Sequence, residues 1–149
     1  MLRQAKMEST FVPKTDHSMK LWLKQRQELL VIYSQLCGIE QPSESFEKLQ
    51  VFCQSLMDYL SIGHFKMFEK LAEAHYHLSP HTKGLDGSIL QKISDTTDIA
   101  LDFNDKYTDS ESLEDLSEDL SVLGENLAHR MDWEDKLINT YLKLSSNLH

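Results

Sequence analysis

Apolar residues recur along this chain at steps of three and four, the spacing that gathers side chains on one face of an α-helix. Between Asp16 and Cys37 they fall at Met19, Trp22, Leu23, Leu29, Leu30, Tyr33 and Leu36, and Gly38 supplies a C-terminal stop. A second stripe, Phe46, Leu49, Cys53, Leu56 and Leu60, is opened by Pro42 and Ser43, with Ser43 expected as cap and Glu44 favourable in the first turn. Ser61-Ile62-Gly63 breaks the pattern, and a shorter third segment with Phe65, Phe68, Leu71 and Ala72 fades near His77. Ser79 to Gly87 reads as a loop. A fourth helix starts at about Ser88 and turns Ile89, Leu90, Ile93, Ala100 and Phe103 inward. After Thr108-Asp109-Ser110 comes a last stripe through Leu113, Leu116, Leu120, Leu123, Leu127, Leu137, Tyr141 and Leu144. A helix of that length spans roughly 50 Å, so a bend near Gly124 is expected. These elements predict an all-α fold, an antiparallel helical bundle of four to six helices with an up-and-down core. Residues 1–15, which lack periodicity and contain Pro13, form an N-terminal arm, and 16–149 form one domain.

Composition narrows the function classes. Five glycines and three prolines in 149 residues leave few turns and favour long helices. The formal net charge of −9 argues against a surface that tracks phosphates, so no direct nucleic-acid contact is expected. The same charge suits a basic protein partner, although acidity for solubility alone is equally ordinary. Cys37 and Cys53 sit at helical spacing among apolar residues and read as reduced core side chains. The longest apolar run, Leu29 to Tyr33, is far short of a membrane span, and no signal-like core follows Met1 to Lys6. The expected location is the cytoplasm, away from membranes.

Charges on the apolar stripes carry the chemical information. Arg26 lies four residues after Trp22 and three before Leu29, on the core face of the first helix. In the last helix the alternation that places leucines at 120, 123 and 127 next reaches Arg130 and Glu134, which are one turn apart and can pair. A buried charge is costly unless paired, so Arg26 needs a carboxylate, and Asp58, Glu69 and Glu134 are the candidates. One reading is a polar layer that only fixes helix register. The other is a layer that opens onto a groove and orients side chains for a partner. Asp58, beside the apolar stripe, is then the best external reader of a partner's Arg or Lys.

His64, after Gly63, can cap the helix, bridge carboxylates or act as an acid or base, and a lone histidine there is more often structural; the alternative function is histidine phosphotransfer or another helical signalling module acting through it. His75, His77 and His81 straddle a fading helix end and a loop, which makes a poor metal site. The chain has no Glu followed by His three residues later, no Gly-rich phosphate loop, no nucleophile elbow and no zinc spacing. No cofactor, no metal and no enzymatic activity are expected.

Three blocks carry a family resemblance: Trp22 to Val31 (WLKQRQELLV) with Tyr33 and Leu36-Cys37-Gly38-Ile39; Phe52 to Phe65 (FCQSLMDYLSIGHF); and Leu127 to Ile138 (LAHRMDWEDKLI). Together they resemble the regulator-of-sigma-D (Rsd/AlgQ) family of anti-sigma proteins. They cover about a third of the chain; Ala72 to Ser94 and Arg3 to Thr15 depart from the family pattern. The resemblance implies a helical bundle that binds the C-terminal, promoter-recognising domain of the primary, housekeeping sigma factor. Binding would keep sigma from core RNA polymerase and promoter DNA as growth slows. The family's sigma-contacting aspartate falls on Asp58, and Arg26, His64 and Glu134 match family polar positions. Trp22 and Tyr59 are expected as anchors, with Glu69 also at the partner-binding site. A monomer or weak dimer is expected.

Overall fold

The amphipathic stripes become four helices in the computed structural model, which describes residues 11–39, 42–63, 87–109 and 112–146. They are α1 (Phe11–Cys37), α2 (Pro42–Ile62), α3 (Gly87–Asp109) and α4 (Leu116–Ser146). The third segment expected from the sequence, and the loop after it, lie outside the described residues.

Helix α1 begins at Phe11 rather than Asp16. Pro13 falls in its first turn, where a backbone N–H has no intrahelical acceptor and its absence costs nothing. Pro42 is itself the first helical residue of α2, so Ser43 lies inside the helix and is not its cap. Helix α4 runs unbroken for 31 residues, about 46 Å.

The helices pack as a ring in chain order, α1 on α2, α2 on α3 and α3 on α4, with a lighter contact closing α4 onto α1. Short connections make α1 antiparallel to α2 and α3 antiparallel to α4. The remaining directions follow from cross-helix bonds. Near the start of α2, Gln50 donates to the Tyr107 carbonyl near the end of α3 (3.1 Å). Near the end of α1, the Tyr33 hydroxyl donates to the Leu120 carbonyl at the start of α4 (2.7 Å). Every helix therefore opposes both neighbours, the up-and-down bundle expected from the sequence.

The axis is filled by Trp22, Leu29 and Leu36 of α1, Leu49, Phe52 and Leu56 of α2, Ile93, Ala100 and Phe103 of α3, and Leu120, Leu123 and Leu127 of α4. Burying each such large side chain contributes about 1.5–3 kcal/mol. Leu30 and Phe46, expected inside, are exposed, because both lie at the edge of their helix's apolar face. Cys53 is buried, but Cys37, in the last turn of α1, faces solvent; both are free thiols. The helix passes Gly124 without a break. A Cβ there would lie 2.2 Å from the Tyr33 hydroxyl, so the glycine is the gap through which Tyr33 reaches the α4 backbone.

Candidate partner-binding site

Each of the four helices sends a polar group to one level of the bundle. Arg130 and Glu134 come from α4, one turn apart, with Arg130 Nε 3.0 Å from Glu134 Oε2. From α2, the Tyr59 hydroxyl donates to Glu134 Oε2 and accepts from Arg130 Nε at 3.0 Å. The Arg130 guanidinium also stacks over the Tyr59 ring, 5.3 Å from its centre. From α3, Arg130 NH1 donates to Thr96 Oγ1 (3.0 Å), Thr97 Oγ1 (2.6 Å) and the Ile93 carbonyl (3.2 Å). From α1, Arg26 NH1 reaches Glu134 Oε1 at 3.2 Å while NH2 pairs with Asp135 at 2.9 Å.

Two guanidiniums thus meet two carboxylates. Arg130, Glu134 and Tyr59 have essentially no solvent exposure, whereas the Arg26 side chain keeps 18%. Burial pushes the Glu134 carboxyl above the usual range, although Arg130, Tyr59 and Arg26 pull the other way. Burial and the neighbouring Glu134 push the Tyr59 phenol well above 10, which keeps it a neutral donor. For Arg26, hydrogen bonding to Asp135 and the two nearby carboxylates outweigh desolvation and raise its pKa.

Of the carboxylates expected for Arg26 that lie among the described residues, Glu134 meets it and Asp58 does not; Asp135, to which the sequence pattern does not point, meets it too. Asp58 is elsewhere: it faces solvent on the outward side of α2 and accepts from Gln54, one turn earlier, at 3.0 Å. Arg26, Tyr59, Arg130 and Glu134 therefore form one network, and Asp58 stands outside it. Trp22 and Tyr59, expected as anchors, and Glu134, expected to line or support the groove, are buried inside the bundle. Their apolar-stripe positions aim them at the axis, where they pack between the helices. His64 and Glu69 lie outside the described residues.

Thr96, Thr97 and the Ile93 carbonyl were missed from sequence. Threonine in a helix gives no pattern signal, since its hydroxyl ordinarily bonds the preceding turn. Thr96 and Thr97 do that here, donating to the Ile93 carbonyl at 2.6 and 3.2 Å. This leaves their lone pairs for Arg130.

Among the described residues no group of three or more His, Cys, Asp or Glu could hold a metal ion, and no helix is long and apolar enough to cross a membrane. What the bundle offers is a rigid scaffold with an acidic exterior, the makings of a protein-binding module. The chain matches the family described as "Regulator of RNA polymerase sigma(70) subunit, Rsd/AlgQ" over residues 1–142, and it belongs to that family. It is 33% identical over 126 residues to the "Regulator of sigma D" of Yersinia pseudotuberculosis serotype O:1b (strain IP 31758), covering 78% of this chain and 75% of that one. To the protein of the same name from Enterobacter sp. (strain 638) it is 32% identical over 157 residues, covering 99% and 93%. To that of Pectobacterium carotovorum subsp. carotovorum (strain PC1) it is 33% identical over 148 residues, covering 93% and 96%.

Proposed function

We propose that this protein is a non-enzymatic anti-sigma factor of the cytoplasm. It binds the C-terminal, promoter-recognising domain of the primary sigma factor and withholds it from core RNA polymerase and promoter DNA in slow growth or stationary phase. The observation that carries the reading is the exposed Asp58 carboxylate, set on the outward face of a helix whose opposite face is locked into the core. A promoter-reading domain presents basic side chains to DNA, and a fixed carboxylate on an acidic surface is complementary to them and speeds encounter. Arg26, half-buried at the α1–α4 seam, holds that scaffold through Glu134 and Asp135. Trp22, Tyr59 and Glu134 support it from within, and His64 and Glu69 belong to the same partner-binding set. The protein acts as a monomer or weak dimer, without cofactor or metal.

Titration of purified protein against the primary sigma factor tests this. The expected result is a one-to-one complex that weakens as salt rises. Asp58→Ala weakens it about tenfold or more with unchanged helicity and melting temperature. Wild-type affinity in that variant removes Asp58 from the site, and no complex at low salt with both proteins folded removes the function.

A further inference from the structure

The outer face between α3 and α4 carries a groove of about 200 Å³ that the polar layer and Asp58 do not touch. Buried Phe103 and Leu123 line it together with the charged side chains of Asp102, Lys106 and Asp119. Ile99 and Val122, from α3 and α4, line it with 44% and 55% of their surface open to solvent, two of several large hydrophobic side chains exposed among the described residues. Further along the same seam, half-buried Trp133 lies under the Lys92 ammonium (5.7 Å) and stacks on His129 (6.1 Å). One edge of this apolar strip is a row of exposed aspartates on α3, Asp95, Asp98, Asp102 and Asp105, spaced three and four apart. Beyond the other edge, α4 exposes Glu118, Glu125 and Asp132 at every seventh position. Lys106 pairs with Asp119 (2.7 Å) and Asp115 (3.4 Å), and Lys92 covers Trp133.

We propose that the α3–α4 groove is a second docking surface, which takes an amphipathic helix of a partner protein with Lys or Arg along both edges of its apolar face. An apolar strip between two acidic rows is the complement of such a helix. The rows run about 15 to 20 Å, three to four helical turns. A second copy of this chain is the wrong occupant, since an overall charge of −9 and carboxylates on both edges repel it. Asp58 lies on the outward side of α2, which does not border this seam, so the groove is open to a helix while Asp58 is engaged.

The probe is a fluorescein-labelled helical peptide of about 18 residues, roughly 27 Å long. It carries Leu at i, i+3, i+4 and i+7 and Lys on the flanks, and its binding is read by anisotropy at low salt. Saturable binding is expected. Ile99→Lys and Val122→Lys each weaken it about tenfold, since each puts a charge into an apolar contact at an exposed position that leaves folding intact. A scrambled peptide of the same composition also binds about tenfold more weakly, and Asp58→Ala changes nothing. Equal binding of the scrambled peptide, full affinity in Val122→Lys, or no binding by folded protein overturns the proposal. So does a dimer by light scattering that Val122→Lys dissolves, which puts a second copy in the groove. Loss of sigma-factor binding in Val122→Lys to the extent seen in Asp58→Ala makes the two surfaces one and also overturns it. Because the peptide arm needs no sigma factor, failure of the anti-sigma reading leaves it intact.

Discussion

The half of the bundle around Phe52 and the half around Glu134 fill the same space, the axis between four antiparallel helices, with opposite chemistry. Around Phe52 the contacts are rings: Tyr33 at 5.9 Å, Phe103 edge-on at 5.8 Å, and Tyr107 against Phe103 at 4.7 Å. Such contacts have preferred ring geometries but are less directional than bonds between charged groups. Around Glu134 they are directional bonds between charged groups, at 3.0 Å from Arg130 and 3.2 Å from Arg26. A slip of one helical turn, 5.4 Å, would leave the first half greasy and filled but strand two buried charges in the second. Apolar packing thus supplies the drive to associate, and the polar layer selects the one register in which the outward faces, Asp58's among them, are correctly placed.

The sharpest break in that comparison is Arg130→Met. It leaves Glu134 buried against a lost partner, and urea denaturation should show a loss of about 3–5 kcal/mol. The double variant Arg130→Met/Glu134→Leu should recover much of it, since neither charge then needs a partner. Strict additivity would mean the layer is not a unit. Conservative changes should separate the halves next. Glu134→Gln keeps the shape, loses the charge and should cost about 2–3 kcal/mol. Phe52→Leu keeps the chemistry, changes the shape and should cost about 1 kcal/mol. Equal costs would erase the distinction.

How far each half was legible in the sequence follows from the same contrast. The apolar half reads directly: the three-four spacing of Leu49, Cys53, Leu56 and Leu60 gives both the helix and its buried face. Where it misled, at Leu30 and Phe46, the residue lies at the margin of the stripe, where spacing cannot tell buried from exposed. The polar half was half legible. Arg26, Arg130 and Glu134 stand out because each interrupts a leucine pattern, and that pattern located the Arg130–Glu134 pair. It could not say which carboxylates meet Arg26, because that depends on how α1 and α4 are rotated, and rotation is set across the bundle. The burial of Trp22 and Tyr59 is hidden for the same reason: an aromatic residue on an apolar face looks alike whether the face meets a partner or its own core. The bend expected at Gly124 rests on helix length alone, whereas the Tyr33 hydroxyl that the glycine admits comes from another helix.

Gly124 also gives a finer test, at the junction of the two materials. Alanine there should gain about 1 kcal/mol of helix propensity. It would overlap the Tyr33 hydroxyl and ring, 2.2 and 2.9 Å from the new Cβ, and break the bond to the Leu120 carbonyl. A net loss of about 1–2 kcal/mol is expected. In Tyr33→Phe, which has already lost that bond, the same alanine should cost less. A double-mutant cycle without coupling would show that Tyr33 does not depend on the glycine.

The smallest effect is expected at the far end of the aromatic half, where Tyr107 (2.5 Å) and Lys106 (2.7 Å) both donate to Asp119. Hydrogen bonding from Lys106, then from Tyr107, holds the Asp119 carboxyl below its ordinary 3.8. In the unfolded chain the same group titrates at that ordinary value. The folded state therefore binds this proton less readily, and the stabilisation is present above 3.8 and lost as pH falls through the lower, folded value. Asp119→Asn removes it. Melting temperatures of the two proteins, followed downward from pH 6, should differ slightly at first and converge below the folded value, with the wild type falling more steeply. A constant gap across that range would mean the Asp119 bonds do not depend on its charge. The aromatic half would then end in a neutral cap, with electrostatics confined to the layer around Glu134.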